Sequence, residues 1–247
     1  MSEADISPWI IVGISGVTCS GKSTLASKLL TGLHNTVCYL AQDDYILPND
    51  FPGHPAAPPP LKGISKESLQ SIHVETMMRD IRKILNTSHH DIVLSDSWEE
   101  SAETRNILRP DQKDDENTMK IPRTNGGALH SNALFKGRKQ DASLSPVLII
   151  EGFLIFNQPE IPELCNLKYF LTLNKEECWK RRQTRNFSIP GGNAKLYFDL
   201  CTWSQYEKHY KDVHQRVKDI VIYNGMTNPQ EIYHNALKNI TDLVENN

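Results

Sequence analysis

The sequence predicts a three-layer α/β/α fold built around a central parallel sheet. Short, continuous apolar runs rich in β-branched residues, as at 9–14 and 147–150, are typical of strands buried inside such a sheet. Segments with apolar residues at helical spacing lie between these runs. Strands that alternate with helices imply βαβ units, and these place helices on both faces of one parallel sheet.

The first half of the chain supplies two strands and two helices. After the strand at 9–14 comes a turn rich in glycine, serine and threonine, and then a helix at about 22–33 with leucines at helical spacing. Val37–Ala41 predicts a second strand. Dense proline predicts a surface loop over 48–63. An imperfect apolar stripe predicts a helix over 66–85.

The second half repeats the alternation after a polar interruption. The stretch 101–145 is charged and rich in glycine and asparagine, so we predict a long flexible insertion that supplies little core. A Gly/Pro-containing stretch after a basic helix predicts a mobile lid over 181–199. The remaining predicted strands are 90–95, 147–150, 168–173 and 220–223, and the remaining helices are 175–185, 200–217 and 229–244. The whole chain, 1–247, is predicted to be a single domain.

Composition narrows the class of protein. The 247 residues are enough to bury a sizeable core, and 27 Lys and Arg against 30 Asp and Glu give a net charge of -3, so no general field for nucleic acid is expected. Five scattered cysteines do not resemble a disulfide framework or a zinc site. The polar start is unlike a targeting signal, and each apolar run is too short to span a membrane. We therefore expect a cytoplasmic protein with no membrane partner.

The motif G-x-x-x-x-G-K-[ST] occurs in full between Gly16 and Ser23, after an apolar strand and at the start of a helix. Its glycines let the backbone curl around a phosphate, and the helix N-terminus adds partial positive charge. Lys22 is expected to reach the β- and γ-phosphates, and the Ser23 hydroxyl to hold Mg²⁺. The alternative is a Gly-rich turn without a ligand. The motif predicts a P-loop NTPase type of fold with a nucleotide phosphate site, which the family resemblance given below assigns to ATP, at Gly16, Val17, Thr18, Cys19, Ser20, Gly21, Lys22, Ser23 and Thr24.

Other residues distinguish a small-molecule kinase from a GTPase. A base-reading N-K-x-D motif is missing, because the nearest match, beginning at Asn174, lacks its aspartate. A kinase needs a carboxylate to orient the acceptor, a second acid near the metal, and cations for the moving phosphoryl group. Asp43 and Asp44 follow the second strand, Glu151 follows the strand 147–150, and basic residues fill 180–185. The alternatives are a turn or helix cap for the aspartates, a surface acid for Glu151, and a solvated face for the basic residues.

The residues also resemble nicotinamide riboside kinases, which belong with the uridine kinase-like nucleoside kinases. The resemblance covers most of the chain outside the proline-rich loop and 101–145. Its most specific parts are Glu-Gly-Phe-Leu-Ile-Phe-Asn at 151–157 and Lys-Arg-Arg-Gln-Thr-Arg at 180–185. The other matching stretches are 13–26, 42–45 and 197–199. The resemblance implies ATP-dependent phosphorylation of the 5′-hydroxyl of nicotinamide riboside, giving nicotinamide mononucleotide for NAD synthesis.

The resemblance also implies roles for individual residues. Asp43 matches the acceptor-orienting base, and Ser23 and Asp43 match the magnesium environment. Arg181 and Arg185 match lid residues at ATP. Further matches are Arg182 as a substrate contact, Phe187 as an aromatic near the nucleoside, and Thr227, Asn228 and Pro229 as the stretch flanking adenine. Lys22 and Glu151 are further catalytic candidates. The predicted substrate side also includes Asp44, Tyr45 and Glu67.

One departure from the family bears on the substrate. The family has an aromatic–Asp pair where this chain has Lys66-Glu67. Glu67 can still bind ribose hydroxyls, and Tyr45 or Phe51 is the candidate to supply the ring. The alternatives are therefore a uridine/cytidine kinase or another nucleoside kinase, and, from another class, a nucleotide-sensing interaction protein that uses the insertion.

Overall fold

A computed structural model of the protein describes residues 9–87, 136–138, 144–184 and 193–245. Their sheet has six strands in the order β3-β2-β4-β1-β5-β6, and all are parallel except β3, which runs antiparallel to β2 at one edge. The predicted central parallel sheet is confirmed. The strands are β1 Ile10–Gly16, β2 Val37–Ala41, β3 Lys136–Arg138, β4 Val147–Glu151, β5 Leu167–Thr172 and β6 Ile220–Asn224.

Strand β3 was not predicted. It lies inside the stretch 101–145, where Lys136-Gly137-Arg138 has no apolar residue to indicate a strand. Its partners on β2 run from Val37 to Tyr39. The predicted strand at 90–95, most of the predicted insertion and part of the predicted lid lie outside the described residues.

The helices of the described residues cover both faces of the sheet. They are α1 Lys22–Gly32, α2 Val74–Asn86, α3 Glu160–Leu164, α4 Lys175–Gln183, α5 Ala194–Tyr197, α6 Ser204–Arg216 and α7 Pro229–Glu245. A π-helical segment, Phe198–Trp203, joins α5 to α6. Short 3-10 turns occupy Gln42–Tyr45, Leu69–Ser71 and Ile155–Asn157. None of the described helices is long and apolar enough to cross a membrane.

The prediction of a helix over 66–85 was wrong at its N-terminal end, because α2 begins only at Val74. The Nδ1 atom of His73 accepts a hydrogen bond from the backbone N–H of Thr76 at 3.4 Å, which caps α2. Residues 66–73 therefore precede the helix and do not form part of it. They carry Glu67 toward the site described below.

Two apolar clusters sandwich the sheet. Alternate residues of β1, such as Ile10 and Ile14, pack with α1 and α7, whereas Ile11 lies in the cluster formed with α2 and α6. This alternation follows from the two-residue period of a strand. The three layers predicted from the sequence are thus observed. All five cysteines are buried free thiols, which agrees with the prediction of no disulfide framework.

The proline-rich loop, predicted over 48–63, has no long helix or strand of its own. His54 is buried within it, with Nδ1 2.9 Å from the Ser71 hydroxyl and Nε2 2.7 Å from the Pro48 carbonyl oxygen. Ala57 packs against Tyr197 and Cys201 at the end of the α5 region. These contacts fix the loop against residues that precede α2 and against the segment that leads into α6.

Candidate active site

The carboxyl ends of the parallel strands meet at one edge of the sheet. Strand β1 lies between β4 and β5, so the chain order reverses there. In open α/β sheets ligands bind at such a switch point, outside the carboxyl ends of the strands. The registers place Glu151 beside Ile14 of β1 and Ala41 of β2. The sequence-predicted acids on β4 and after β2 are thus brought to the same edge as the phosphate loop.

The phosphate loop runs from the end of β1 into α1. Gly16 has a φ of 135° and lies so close to β5 that a Cβ there would be 2.1 Å from the Leu171 carbonyl oxygen. Val17 N–H donates to that same oxygen at 3.1 Å. Gly21, at φ 101°, supplies no side-chain cap to α1. The first N–H groups of a helix have no partners within the helix, so this end of α1 suits a phosphate.

Lys22 and Ser23 open α1 in different environments. Lys22 is 8% exposed, and its Nζ donates to the Val17 carbonyl oxygen at 2.9 Å. Its ammonium group therefore lies against the loop that would hold a phosphate. Ser23 is exposed, and its hydroxyl donates to Oε2 of Glu151 at 3.4 Å. The two side chains consequently present a cation and a hydroxyl oxygen to the same edge of the sheet.

Glu151 is the last residue of β4 and is only 6% exposed. Besides Ser23, the hydroxyl of Tyr39 donates to Oε2 of Glu151 at 3.2 Å. Burial raises the pKa of the Glu151 carboxyl, Lys22 opposes that rise, and the charge of Asp43 adds to it. Sequence reasoning missed Tyr39, although a tyrosine inside a buried strand usually needs a partner for its hydroxyl.

Asp43 and Asp44 lie in the 3-10 turn that follows β2, and both are exposed. The turn is held by Gln42, whose Oε1 accepts from the Leu154 backbone N–H at 2.8 Å. Tyr45, in contrast, is 4% exposed and lies in the core, where its hydroxyl donates to Asp80 at 3.0 Å. Its ring packs in the interior rather than facing the cleft, so we propose no substrate role for it.

Glu67 is a third acidic group, held by Thr202 and Arg182. Its side chain is 17% exposed, its Oε1 accepts from the Thr202 hydroxyl at 2.8 Å, and Nη2 of Arg182 lies 3.8 Å from the same oxygen. Burial raises the pKa of Glu67, Arg182 opposes that rise, and the charge of Asp43 adds to it. Arg182 also donates to the Thr18 hydroxyl at 3.3 Å, which connects Glu67 to the phosphate loop.

Arg181 connects the phosphate loop to the turn after β6. Its guanidinium pairs with Glu177 at 2.8 Å and donates to the carbonyl oxygens of Gly225 at 3.1 Å and Cys19 at 3.4 Å. Gly225 is itself so close to the loop that a Cβ there would be 2.7 Å from the Ser20 carbonyl oxygen. The turn before α7 therefore lies directly against the phosphate loop.

The predicted adenine-flanking residues, Thr227, Asn228 and Pro229, follow that turn. The side-chain oxygen of Asn228 accepts from Gln230 N–H at 2.9 Å and so caps α7. This contact gives Asn228 a structural role beside the predicted one. Arg185 and Phe187 lie outside the described residues, and Phe51 is half-buried in an edge-on contact with His54, 5.5 Å between ring centres.

The residues at this edge fit Mg²⁺ bound together with a nucleotide. Mg²⁺ prefers oxygen ligands, keeps several waters, and is usually held by one or two protein groups plus substrate phosphates. Ser23 and Asp43 supply oxygens of the right kind, and Glu151 accepts from the Ser23 hydroxyl. Over the described ranges there is no group of three or more His, Cys, Asp or Glu that could hold a metal alone.

Comparison with known proteins finds relatives that match nearly the whole chain. Nicotinamide riboside kinase 2 of Mus musculus is 28% identical over 238 residues, covering 96% of this chain and 98% of that protein. Nicotinamide riboside kinase 1 of Homo sapiens is 28% identical over 240 residues, covering 95% and 92%. The predicted resemblance to these kinases is confirmed. No protein-family model matches the chain. A solved structure described as a possible uridine kinase from Bacillus stearothermophilus is 15% identical, with a TM-score of 0.40 over 85% of this chain and 87% of that one.

Proposed function

We propose that the protein is an ATP-dependent nucleoside kinase that phosphorylates the 5′-hydroxyl of nicotinamide riboside, giving nicotinamide mononucleotide for NAD synthesis. The observation that carries this proposal is that the phosphate loop after β1, Asp43 after β2 and Glu151 at the end of β4 come to one edge of the sheet, with the Ser23 hydroxyl 3.4 Å from Glu151. The similarity to nicotinamide riboside kinases over nearly the whole chain supports the choice of substrate.

ATP is held on the phosphate loop. The N-terminal turn of α1 binds the phosphates through its backbone N–H groups, and Lys22 adds its positive charge. Arg181 bridges the loop and the turn after β6, so it closes the nucleotide side of the site. The adenine ring then lies along the turn that leads to α7, where 227–229 flank it.

Asp43 orients the acceptor. It is exposed in the turn that follows β2, and its charge raises the pKa of both Glu67 and Glu151. A carboxylate at this point can accept the proton of the attacking hydroxyl. Ser23 and Asp43 would hold Mg²⁺, which neutralises charge on the transferring phosphate, and Glu151 holds the Ser23 hydroxyl in place.

Arg182 and Glu67 form the substrate side. Arg182 contacts both the Thr18 hydroxyl of the phosphate loop and Glu67, so its cation lies where charge develops on the transferred group. Glu67 accepts hydrogen bonds from the ribose hydroxyls. The Lys22 cation offsets part of the repulsion among the three acids.

A pyrimidine nucleoside is the second candidate substrate. The reason to consider it is the identity of residue 66. Where the resemblance leads us to expect an aromatic ring, Lys66 sends its ammonium group to the Leu47 carbonyl oxygen at 3.2 Å. No stacking surface comes from this position. The preferred base then depends on other residues of the substrate side.

A nucleoside panel tests the proposal. Nicotinamide riboside, uridine and cytidine are each incubated with ATP and Mg²⁺, and product mass and kcat/KM are measured. We expect nicotinamide riboside to have the highest kcat/KM and to gain one phosphate. A higher kcat/KM for uridine or cytidine would mean that the protein is a nucleoside kinase with a different substrate. The absence of phosphoryl transfer to any of the nucleosides would contradict the proposed kinase activity.

A further inference from the structure

Three side chains from one helical stretch contact Lys66 and Glu67. The hydroxyl of Tyr197 accepts from Lys66 N–H at 3.2 Å, the hydroxyl of Thr202 donates to Glu67 Oε1 at 2.8 Å, and Nε2 of His209 contacts the Glu67 carbonyl oxygen at 3.0 Å. All three come from the continuous helical stretch that runs through α5, the π-helical segment and α6. Lys66-Glu67 is thus gripped at its backbone and at its side chain.

A regular α-helix does not present all three groups to one place. Thr202 and His209 are seven residues apart and so differ by only about 20° around the axis. Tyr197 and Thr202 are five residues apart, which corresponds to about 140° in an α-helix. A π-helix makes its backbone hydrogen bonds from residue i to residue i+5, and Phe198–Trp203 is π-helical between these two positions. Its wider turn brings Tyr197 closer to the face of Thr202 and His209 than a regular α-helix would.

We infer that Thr202 is a positioning residue for the Glu67 carboxylate, and that the π-helical segment is the device that lets Tyr197 and Thr202 hold Lys66-Glu67 together. This inference rests on the proposed function, since Glu67 is taken as the group that binds the ribose. It deepens that function by assigning a specificity role to residues that touch no substrate.

Burial and charge support the role. Thr202 is 3% exposed, so its hydroxyl is shielded from water and its bond to Glu67 is not readily replaced. Arg182 lies at 3.8 Å from the same oxygen, beyond an ordinary hydrogen bond. Thr202 therefore holds the carboxylate short of a hydrogen bond with Arg182.

The same helix also fixes neighbouring parts of the site. Asp199, inside the π-helical segment, pairs with Lys175 of α4 at 2.9 Å. The ring of Phe198 lies 5.2 Å from that of Trp179, also on α4. Because α4 carries Arg182, these contacts set Arg182 and Glu67 relative to one another. Thr202→Val removes the hydroxyl bond to Glu67 but leaves these contacts with α4 in place, so it should act on the nucleoside and not on ATP binding.

The test compares Thr202→Val, which removes the hydroxyl at nearly constant volume, with Thr202→Ser, which keeps it. Thr76→Val is the matched control, because Thr76 is also buried in a helix but contacts His73 instead. We expect Thr202→Val to raise KM for the nucleoside roughly ten-fold, with KM for ATP unchanged. Thr202→Ser should behave as the wild type. An equal change in both KM values, or none in either, would overturn the inference.

Two further measurements separate this inference from the proposed function. Crystal structures of the wild type and Thr202→Val without substrate report the Glu67 carboxylate directly, and we expect it to move toward Arg182 in the variant. An unmoved carboxylate overturns the inference even if no nucleoside is turned over. A double-mutant cycle of Tyr197→Phe with Thr202→Val should give non-additive effects on the displacement, whereas additive effects would contradict a single clamp.

Discussion

Replacing Gly16 by alanine should destabilise the protein by about 2–6 kcal/mol. A φ of 135° costs a residue with a Cβ about 1–3 kcal/mol. The added Cβ would also lie 2.1 Å from the Leu171 carbonyl oxygen and 2.7 Å from its nitrogen, so β1 and β5 must separate at this register pair. That movement breaks the Val17 N–H bond to Leu171 and leaves buried polar groups unpaired, at about 1–3 kcal/mol.

Two other glycines separate backbone strain from steric clash. Gly63 has a φ of 100° with nothing within 4 Å of an added Cβ, and Gly21 has a φ of 101° with the nearest atom at 3.9 Å. Gly63→Ala and Gly21→Ala should therefore lose only about 1–2 kcal/mol. Urea denaturation of the three variants gives each free energy of unfolding. If Gly16→Ala were no less stable than the other two, the close approach of β1 and β5 would be refuted.

Four other changes test the charges of the site. Lys22→Ala and Asp43→Ala should each lower kcat by at least about a hundred-fold with an unchanged circular dichroism spectrum, and near-normal turnover would remove that residue from the mechanism. Arg181→Lys should raise KM for ATP more than KM for the nucleoside, because a lysine cannot reach Gly225 and Cys19 together; steady-state kinetics would contradict this if only the nucleoside were affected. Glu151→Gln should abolish turnover yet stabilise the metal-free protein above about pH 4.5. Because the folded pKa of Glu151 is raised, wild-type stability falls as pH rises through that pKa, whereas a glutamine does not titrate. The difference in free energy of unfolding between the variant and the wild type should therefore widen as pH rises in a denaturation series. A constant difference would contradict the reasoning.

The parts of the fold that the sequence predicts are those with a strong local pattern. Continuous apolar runs identified β1, β2 and β4, and the phosphate loop was identified by its glycines and Lys22. Strand β3 has no apolar residue, so no pattern could indicate it. The start of α2 was misplaced because Leu69 and Ile72 extend the apolar stripe although the chain there forms a 3-10 turn.

The parts of the site that were missed depend on partners far away in the chain. Tyr39 lies 112 residues from its partner Glu151, and Thr202 lies 135 residues from Glu67. Neither hydroxyl is distinguishable from a packing residue until the carboxylate that it meets is known. The π-helical segment could not be predicted either, because its sequence has no feature that distinguishes it from an ordinary amphipathic helix. The contacts that give it a role are with the distant residues Lys66 and Glu67. Tyr45 shows the reverse case. The stretch 42–45 resembles the family, so Tyr45 was predicted on the substrate side, but its ring packs in the core.

The most direct test of the central claim is the distance between the Asp43 carboxylate and the 5′-hydroxyl in a crystal structure with nicotinamide riboside, Mg²⁺ and a non-hydrolysable ATP analogue. We predict about 2.6–3.2 Å between the two oxygens, with the analogue's phosphates on the loop that ends at Lys22. A nucleoside bound with its hydroxyl directed away from Asp43, or phosphates bound elsewhere, would contradict the account.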